Sequence, residues 1–274
     1  MHPKLSLIIS FYNKTAPLML VLEALRYQSM QEFEVIIADD GSGDDAVRIL
    51  QEKSGDYPFP VRHVWHTDRG WRKNEILNKA ILASQTDYLV FIDGDCIPEK
   101  HFMEEHYLNR EDGAALSGRR VNIGERITRQ IIAEGIGRHR IGWQFKLRLF
   151  MARIFRAEGS HVENAIYIRS KWLRKKIYKE NKGILGCNFS IHKKDILSIN
   201  GFDERYLSAF VGEDTDLEMR FLNAGGKTIS VKHKAIVFHC WHNRMVNDRS
   251  NLEIYNKSRE EGLSYTPFGI VKNS

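Results

Sequence analysis

Four polar clusters in this chain carry side chains suited to chemistry. Asp93-Gly-Asp95 sets two carboxylates two residues apart. On an extended chain such a pair projects to one side, where it can hold a divalent cation and a ribose hydroxyl. Oxygen ligands suit Mg2+ or Mn2+, and Gly94 leaves the backbone open to close approach. His239 and His242 form His-x-x-His, and a neutral imidazole from this pair can complete a metal shell. Asp40, in Asp39-Asp-Gly-Ser42, can accept the N3–H of a uracil ring or cap an Asx turn, and the two uses are compatible. Gly212-Glu-Asp-Thr-Asp-Leu-Glu218 opens a helix. Acidic residues in a first turn are favoured by the helix dipole. That accounts for the cluster in general, but not for an Asp214 that faces a cleft, as a general base must.

The elements that must position these groups follow from hydrophobic periodicity. Leu5–Ser10, Phe33–Ala38, Val61–His66 and Tyr88–Ile92 read as short buried strands. Pro17–Gln28, Asp45–Lys53 and Trp71–Ser84 between them read as helices. This alternation predicts an α/β fold with a mostly parallel sheet and helices on both faces. Ligands of such sheets bind beyond the carboxyl ends of the strands. Ser10-Phe-Tyr-Asn13, Asp39-Asp40 and Asp93-Gly-Asp95 then share one edge, although they are far apart in sequence. The rhythm breaks after Gly118 and returns at Gly183, with a strand at Leu185–His192, helices at Lys193–Asn200 and Glu213–Ala224, and a last strand pair within Lys227–Cys240. The tail from Asn247 shows no clear element.

The net charge of +6 conceals an asymmetry. Arg119–Lys182 holds 17 Lys/Arg against 5 Asp/Glu, a surplus of +12 that leaves −6 for the remainder. Within it, Ile141–Phe155 mixes Trp, Phe and Leu with Lys and Arg, as one or two basic amphipathic helices do. Three readings of residues 124–182 stand side by side: a solvated insertion packed on the core, a segment docking on anionic lipid, and an acceptor groove or partner surface. The three cysteines, Cys96, Cys187 and Cys240, form no Cys-x-x-Cys pair. Their number and spacing argue against a disulfide framework or zinc knuckle, and point to buried thiols in a reducing, cytoplasmic compartment. The first apolar run is too short for a signal peptide and reads as a strand.

Taken in order, these blocks resemble the inverting GT-A glycosyltransferases of the large family-two type. They are also similar to galactosyl- and N-acetylgalactosaminyl-transferase domains, including chondroitin-polymerase-like ones. The matching text is Ser6–Asn13, Val35–Ser42, Asp68-Arg-Gly-Trp-Arg72, Phe91–Asp95, Gly186-Cys-Asn-Phe-Ser190, Gly201-Phe-Asp203, Gly212-Glu-Asp214 and His239. The resemblance implies a GT-A, Rossmann-like catalytic domain over residues 1–274. Its nucleotide-sugar half would be 1–118, the basic helical insertion 119–182, the acceptor and catalytic half 183–247, and the tail 248–274. It further implies a UDP-sugar held by Ser10, Tyr12, Asp40 and Arg72, with Asp93 on ribose or metal and Asn188 near the donor sugar. Asp95 and His239 would ligate Mn2+ or Mg2+, with His242 as the alternative imidazole. Asp214 would be the base and Glu213 would orient the acceptor, a glycan or glycolipid. Relatives carry Trp-Gly before the Glu-Asp pair. Here Phe210-Val-Gly212 leaves Phe210 as the candidate to stack on an acceptor ring. A lipid-linked acceptor would place the protein peripherally on the inner face of a membrane.

Two other classes fit less well. A nucleotidyltransferase also pairs aspartates on a metal, but wants a Gly-rich phosphate loop after the first strand, which Ser10-Phe-Tyr-Asn13 is not. A basic nucleic-acid-binding protein would agree with the pI of about 9.1. The charge, however, sits in one segment without an accompanying nucleic-acid motif, so no nucleic-acid partner is expected.

Overall fold

The structure is a computed structural model that describes residues 2–136, 141–170, 172–173, 183–209, 213–243 and 250–272. The first half alternates as the periodicity requires: β1 (Leu5–Phe11), α1 (Thr15–Leu25), β2 (Phe33–Asp39), α2 (Asp44–Lys53), β3 (Val61–Trp65), α3 (Lys73–Ala83) and β4 (Tyr88–Asp93). β5 (Cys96–Pro98), α4 (Phe102–Leu108), β6 (Ala114–Ser117) and β7 (Arg119–Asn122) follow. Next come α5 (Glu125–Glu134), α6 (Trp143–Arg156), β8 (Asn188–His192), α7 (Lys193–Ser198), α8 (Glu213–Asn223), β9 (Lys227–Ser230), β10 (Ile236–His239) and α9 (Leu252–Glu260).

Seven strands form the main sheet in the order β3-β2-β1-β4-β8-β6-β9. β3, β2, β1 and β4 are mutually parallel, and β8 runs antiparallel to both neighbours. The central strands are buried on both faces, as parallel strands under helical layers must be. Leu7 and Ile9 of β1, Val35 and Ile37 of β2, and Val90 and Ile92 of β4 point into one core with α1. Ile8, Ile36, Leu89 and Phe91 point into the other with α3 and α8.

β5, β10 and β7 form a second sheet of three strands. The expected last strand pair is therefore two strands in different sheets: β9 pairs with β6, whereas β10 pairs with β5 and β7. The basic segment is not wholly helical either, because β7 enters the small sheet. Its helices pack on that sheet. Phe145 of α6 lies edge-on to Phe238 of β10 at 5.4 Å, and Thr128 of α5 accepts a hydrogen bond from the Trp241 amide. Residues 171 and 174–182 of the basic segment lie outside the described residues. The tail does contain an element, α9, followed by a stretch bound over the Gly201-Phe-Asp203 turn. Asn200 donates to the carbonyls of Thr266 and Val271, and Thr266 donates to Asp203. Too few apolar residues recur in α9 for its helical period to stand out. None of the described helices is long and apolar enough to cross a membrane.

Candidate active site

The site forms where β1 and β4 end side by side. Ser10 and Asp93 are directly paired in the parallel ladder, and Gly94 N–H closes it on the Ser10 carbonyl at 2.8 Å. Ser10 Oγ donates to Asp93 Oδ1 at 2.6 Å, and Lys73 Nζ donates to the same oxygen at 3.0 Å. Lys73 also donates to Glu213 Oε1 at 2.8 Å, so one ammonium joins α3, β4 and α8. Burial works against charge on Lys73, yet the two carboxylates outweigh it and hold its pKa well above the ordinary lysine value. Burial likewise works against the Asp93 carboxylate, but Lys73 and the Ser10 hydroxyl keep its pKa down at about 2. Glu213 is pushed upward by burial, and its Oε2 is buried without a hydrogen-bond partner among the described residues. Asp214, beside it, accepts the Gly186 amide at 2.8 Å on Oδ2. Ser10, Lys73, Asp93, Gly186, Glu213 and Asp214 line one small cavity floored by Phe91, Phe189 and Phe202.

Asp93 and Asp95 are not presented by one extended strand, as the spacing argument assumed. Gly94 and Asp95 form a turn, which aims Asp95 at the small sheet. There β10 pairs with β5 so that His239 lies opposite Cys96, and Cys240 N–H donates to the Asp95 carbonyl at 2.9 Å. This register brings His239 Nε2 to 3.6 Å from Asp95 Oδ1, while His242 Nε2 stands 3.4 Å from Asp95 Oδ2. Burial lowers the His239 pKa, which favours the neutral, ligating imidazole. Ligand atoms of Asp95, Cys96 and His239 lie within 4.8 Å of one another. The Asp95 carboxylate and His239 imidazole in this set are ligands that suit a divalent cation. His239 and His242 approach different oxygens of the same carboxylate, and His239 is the imidazole that shares a compact set of ligand atoms with Asp95.

The nucleotide end of the cleft is organised by the β2 turn. Asp39, not Asp40, serves the turn, its Oδ1 accepting the Ser42 amide at 2.8 Å. Asp40 meets His66 Nε2 through one oxygen and the Arg72 amide through the other, each within 2.9 Å, and burial raises its pKa. Gly41 adopts φ +92°, and a Cβ there would lie 2.5 Å from the Asp68 Cα, so this turn requires glycine. Tyr12 is half exposed and donates to Asp68 at 2.9 Å. The Arg72 guanidinium bonds to the Trp71 carbonyl.

Asn188 does not reach the cleft. It is fully buried, its amide donating to the Arg119 and Ala235 carbonyls and its Oδ1 facing His106 Nε2 at 3.1 Å. The expected contact with a donor sugar is replaced by a clamp between the two sheets. Phe210, the expected acceptor platform, lies outside the described residues. Lys73 was not anticipated. Its signal was its place: a lysine opening a helix opposes the dipole and calls for nearby anions.

Solved structures share this architecture. A mannosyltransferase from Pyrobaculum calidifontis, solved with GDP-Man and Mn2+, superposes with TM-score 0.55 at 16% identity, over 93% of this chain and 61% of the other. Residues 1–349 of S. aureus TarS with UDP-GlcNAc give TM-score 0.58 at 17% identity, over 94% and 65%. The class that fold and site define is thus the GT-A α/β fold, with an acidic, imidazole-bearing cleft at the strand ends. The glycosyl transferase family 2 model matches residues 6–181, more than half of the chain, and the chain belongs to that family. The model for the N-terminal domain of galactosyltransferase matches residues 169–243, which include Glu213, Asp214 and His239. Among curated proteins, chondroitin synthase of Escherichia coli is 29% identical over 42% of this chain and 17% of its own length. Hyaluronan synthase of Pasteurella multocida is 30% identical over 35% of this chain and 10% of its own length. The matches span less than a third of the length of these curated relatives.

Proposed function

We propose that this family-two domain transfers a sugar from a nucleotide diphosphate sugar, UDP-linked, to a glycan hydroxyl with inversion at the anomeric carbon. The observation that carries the reading is the juxtaposition of two half-sites across the β4–β5 turn. On one side Asp95 faces His239 and His242; on the other Asp93, Lys73, Glu213 and Asp214 share a cavity. The solved neighbours hold GDP-Man with Mn2+ and UDP-GlcNAc, which supports a nucleotide sugar in such a cleft. The names of the polymer-forming relatives favour a glycan acceptor.

In this reading Tyr12, Asp40 and Arg72 hold the nucleoside, and Ser10 and Lys73 fix Asp93 for the ribose. Asp95 with His239, or His242 as the alternative imidazole, would hold Mn2+ or Mg2+, whose chemistry is to neutralise the charge of the leaving diphosphate. The unpartnered Oε2 of Glu213 accepts a hydroxyl of the incoming sugar and orients it. Asp214, steadied by the Gly186 amide on Oδ2, takes the acceptor proton on Oδ1, which meets the exposed Thr215 hydroxyl at 3.2 Å. The proton leaves as the acceptor oxygen attacks the face opposite the nucleotide, through an oxocarbenium-like transition state.

The test is a thermal-shift and hydrolysis screen of nucleotide sugars with Mn2+, Mg2+ or EDTA. A UDP-sugar should stabilise the protein in the presence of metal and not in EDTA, and Asp95→Ala should lose that response while remaining folded. Asp214→Asn should bind donor normally and transfer about 10²–10⁴-fold more slowly, the worth of a positioned base. Silence toward every nucleotide sugar, with metal present and the protein folded, would sink the reading. Near-normal turnover by Asp214→Asn would move the base to Glu213.

A further inference from the structure

α6 is apolar on two opposite sides. One side, with Phe145, Leu149 and Ala152, is buried against the small sheet and its surroundings. At 100° per residue, Trp143, Leu147, Met151 and Ile154 gather on the diametrically opposite side, with Phe155 at its border. These five side chains are 71%, 52%, 45%, 70% and 72% exposed. A continuous stripe of large apolar side chains left exposed among the described residues marks an interaction surface. The helix carries Lys146, Arg148, Arg153 and Arg156 and no carboxylate. By the same geometry Arg148 borders the stripe on one side, and Lys146 and Arg153 on the other. Lys146 is paired with Glu99, whereas Arg148 bonds to the neutral Gln130 and Arg153 is exposed.

We infer that the outer face of α6 docks on an anionic lipid bilayer, with Trp143, Leu147, Ile154 and Phe155 in the headgroup–acyl boundary and the flanking arginines on the phosphates. An apolar stripe edged on both sides by cations has the form of an interfacial helix. Charge decides between the possible occupants. A second copy meeting this face would set Arg148 and Arg153 of one helix against those of the other, with no acidic residue on either helix. An anionic headgroup layer neutralises them and accepts the apolar stripe. The surface stands on its own geometry and does not depend on the chemistry at the cleft. Its consequence for that chemistry is placement: Phe145 packs on Phe238, the residue before His239, so the docked helix lies one helical layer from the strand that carries the imidazole.

The experiment is co-sedimentation of the full chain with vesicles of phosphatidylcholine alone and of phosphatidylcholine mixed with phosphatidylglycerol, at low and high salt. Binding to the mixed vesicles at low salt is expected, weakened by about tenfold or more when the anionic lipid is left out or salt is raised. The variant Trp143→Ser/Ile154→Ser/Phe155→Ser should lose vesicle binding. Its circular dichroism and nucleotide-sugar hydrolysis in solution should match the parent, because all three side chains are exposed and none lines the cavity of Asp93 and Asp214. Brominated lipid should quench tryptophan emission in the parent and less in Trp143→Phe. Absence of binding at low salt, or equal binding by the triple variant, overturns the inference. So does a dimer in sedimentation velocity that the triple variant dissolves, since that would assign the face to a second copy.

Discussion

At the scale of single residues the site is a problem in placing charge. Asp93 and Glu213 are two carboxyls at one cavity, and Lys73 makes their coexistence tolerable by bonding to both. Removing it leaves an acid whose pKa burial already raises, Glu213, beside one that Lys73 holds at about 2. Lys73→Met is therefore expected to push the Glu213 pKa further up and to free Asp93 from its bond. Transfer should fall by about 10- to 100-fold, below the full range for loss of a base, while the protein stays folded. Turnover alongside a thermal melt reads both, and an unchanged rate would make Lys73 a structural brace. Asp40 gives the complementary lesson. Its carboxylate was open to two uses, and the turn use belongs to its neighbour Asp39, leaving Asp40 to the His66 imidazole and the Arg72 amide.

At the scale of elements, α8 must hold its first turn against the ends of β1 and β4. Arg220, about two turns further along α8, anchors it. The guanidinium is buried, donates to Asp216 through Nε at 2.8 Å with Nη2 2.7 Å from the same oxygen, and donates once each to the carbonyls of Ile199 and Gly201. Tyr206 completes the set by donating to Asp216. Nε holds Asp216 within the helix while the two terminal nitrogens reach the Ile199 and Gly201 carbonyls, so the cluster ties the helix to the Gly201-Phe-Asp203 turn. Arg220→Met would strand the Asp216 carboxylate, whose pKa burial raises. Breaking a buried pair in this way costs about 3–5 kcal/mol. Urea unfolding should show a loss of that size, and a loss below about 1 kcal/mol would mean that Asp216 takes up a proton without penalty.

At the scale of the whole molecule, the two sheets must keep their relative position, because Asp93 belongs to one and His239 to the other. A buried hydrogen-bond chain spans them. Asn188 gives both amide hydrogens to carbonyls, so its oxygen must accept from His106 Nε2. His106 Nδ1 then accepts from Ser190, which accepts from Tyr88. The arrangement needs a neutral imidazole, and burial brings the His106 pKa from 6.5 down to about 4. The unfolded chain therefore binds a proton that the folded chain refuses. The stability from His106 is complete above pH 6.5 and is lost as pH falls toward 4, by about 3 kcal/mol in all. His106→Gln, measured by urea unfolding at a series of pH values, should flatten the slope between pH 6.5 and 4 by one proton. An undiminished slope would place the titrating group elsewhere.

The sequence by itself determined the layered α/β half, because strand and helix periods are local and Asp93-Gly-Asp95 follows the most apolar strand. It likewise marked the acidic turn at Glu213-Asp214 and the His-x-x-His text, since these depend on neighbours in the chain. Tertiary structure alone decided how the pieces meet. The pairing of β10 with β5 sets His239 and His242 on Asp95, and no local pattern encodes the register between strands so far apart in the chain. Lys73 became the link between two acids only when α3 and α8 packed on one face of the sheet. Asn188 shared its text with a sugar-binding motif, yet alternation along β8 turned it inward. The direction of a strand residue depends on which face its sheet buries, and that is settled by the whole core at once.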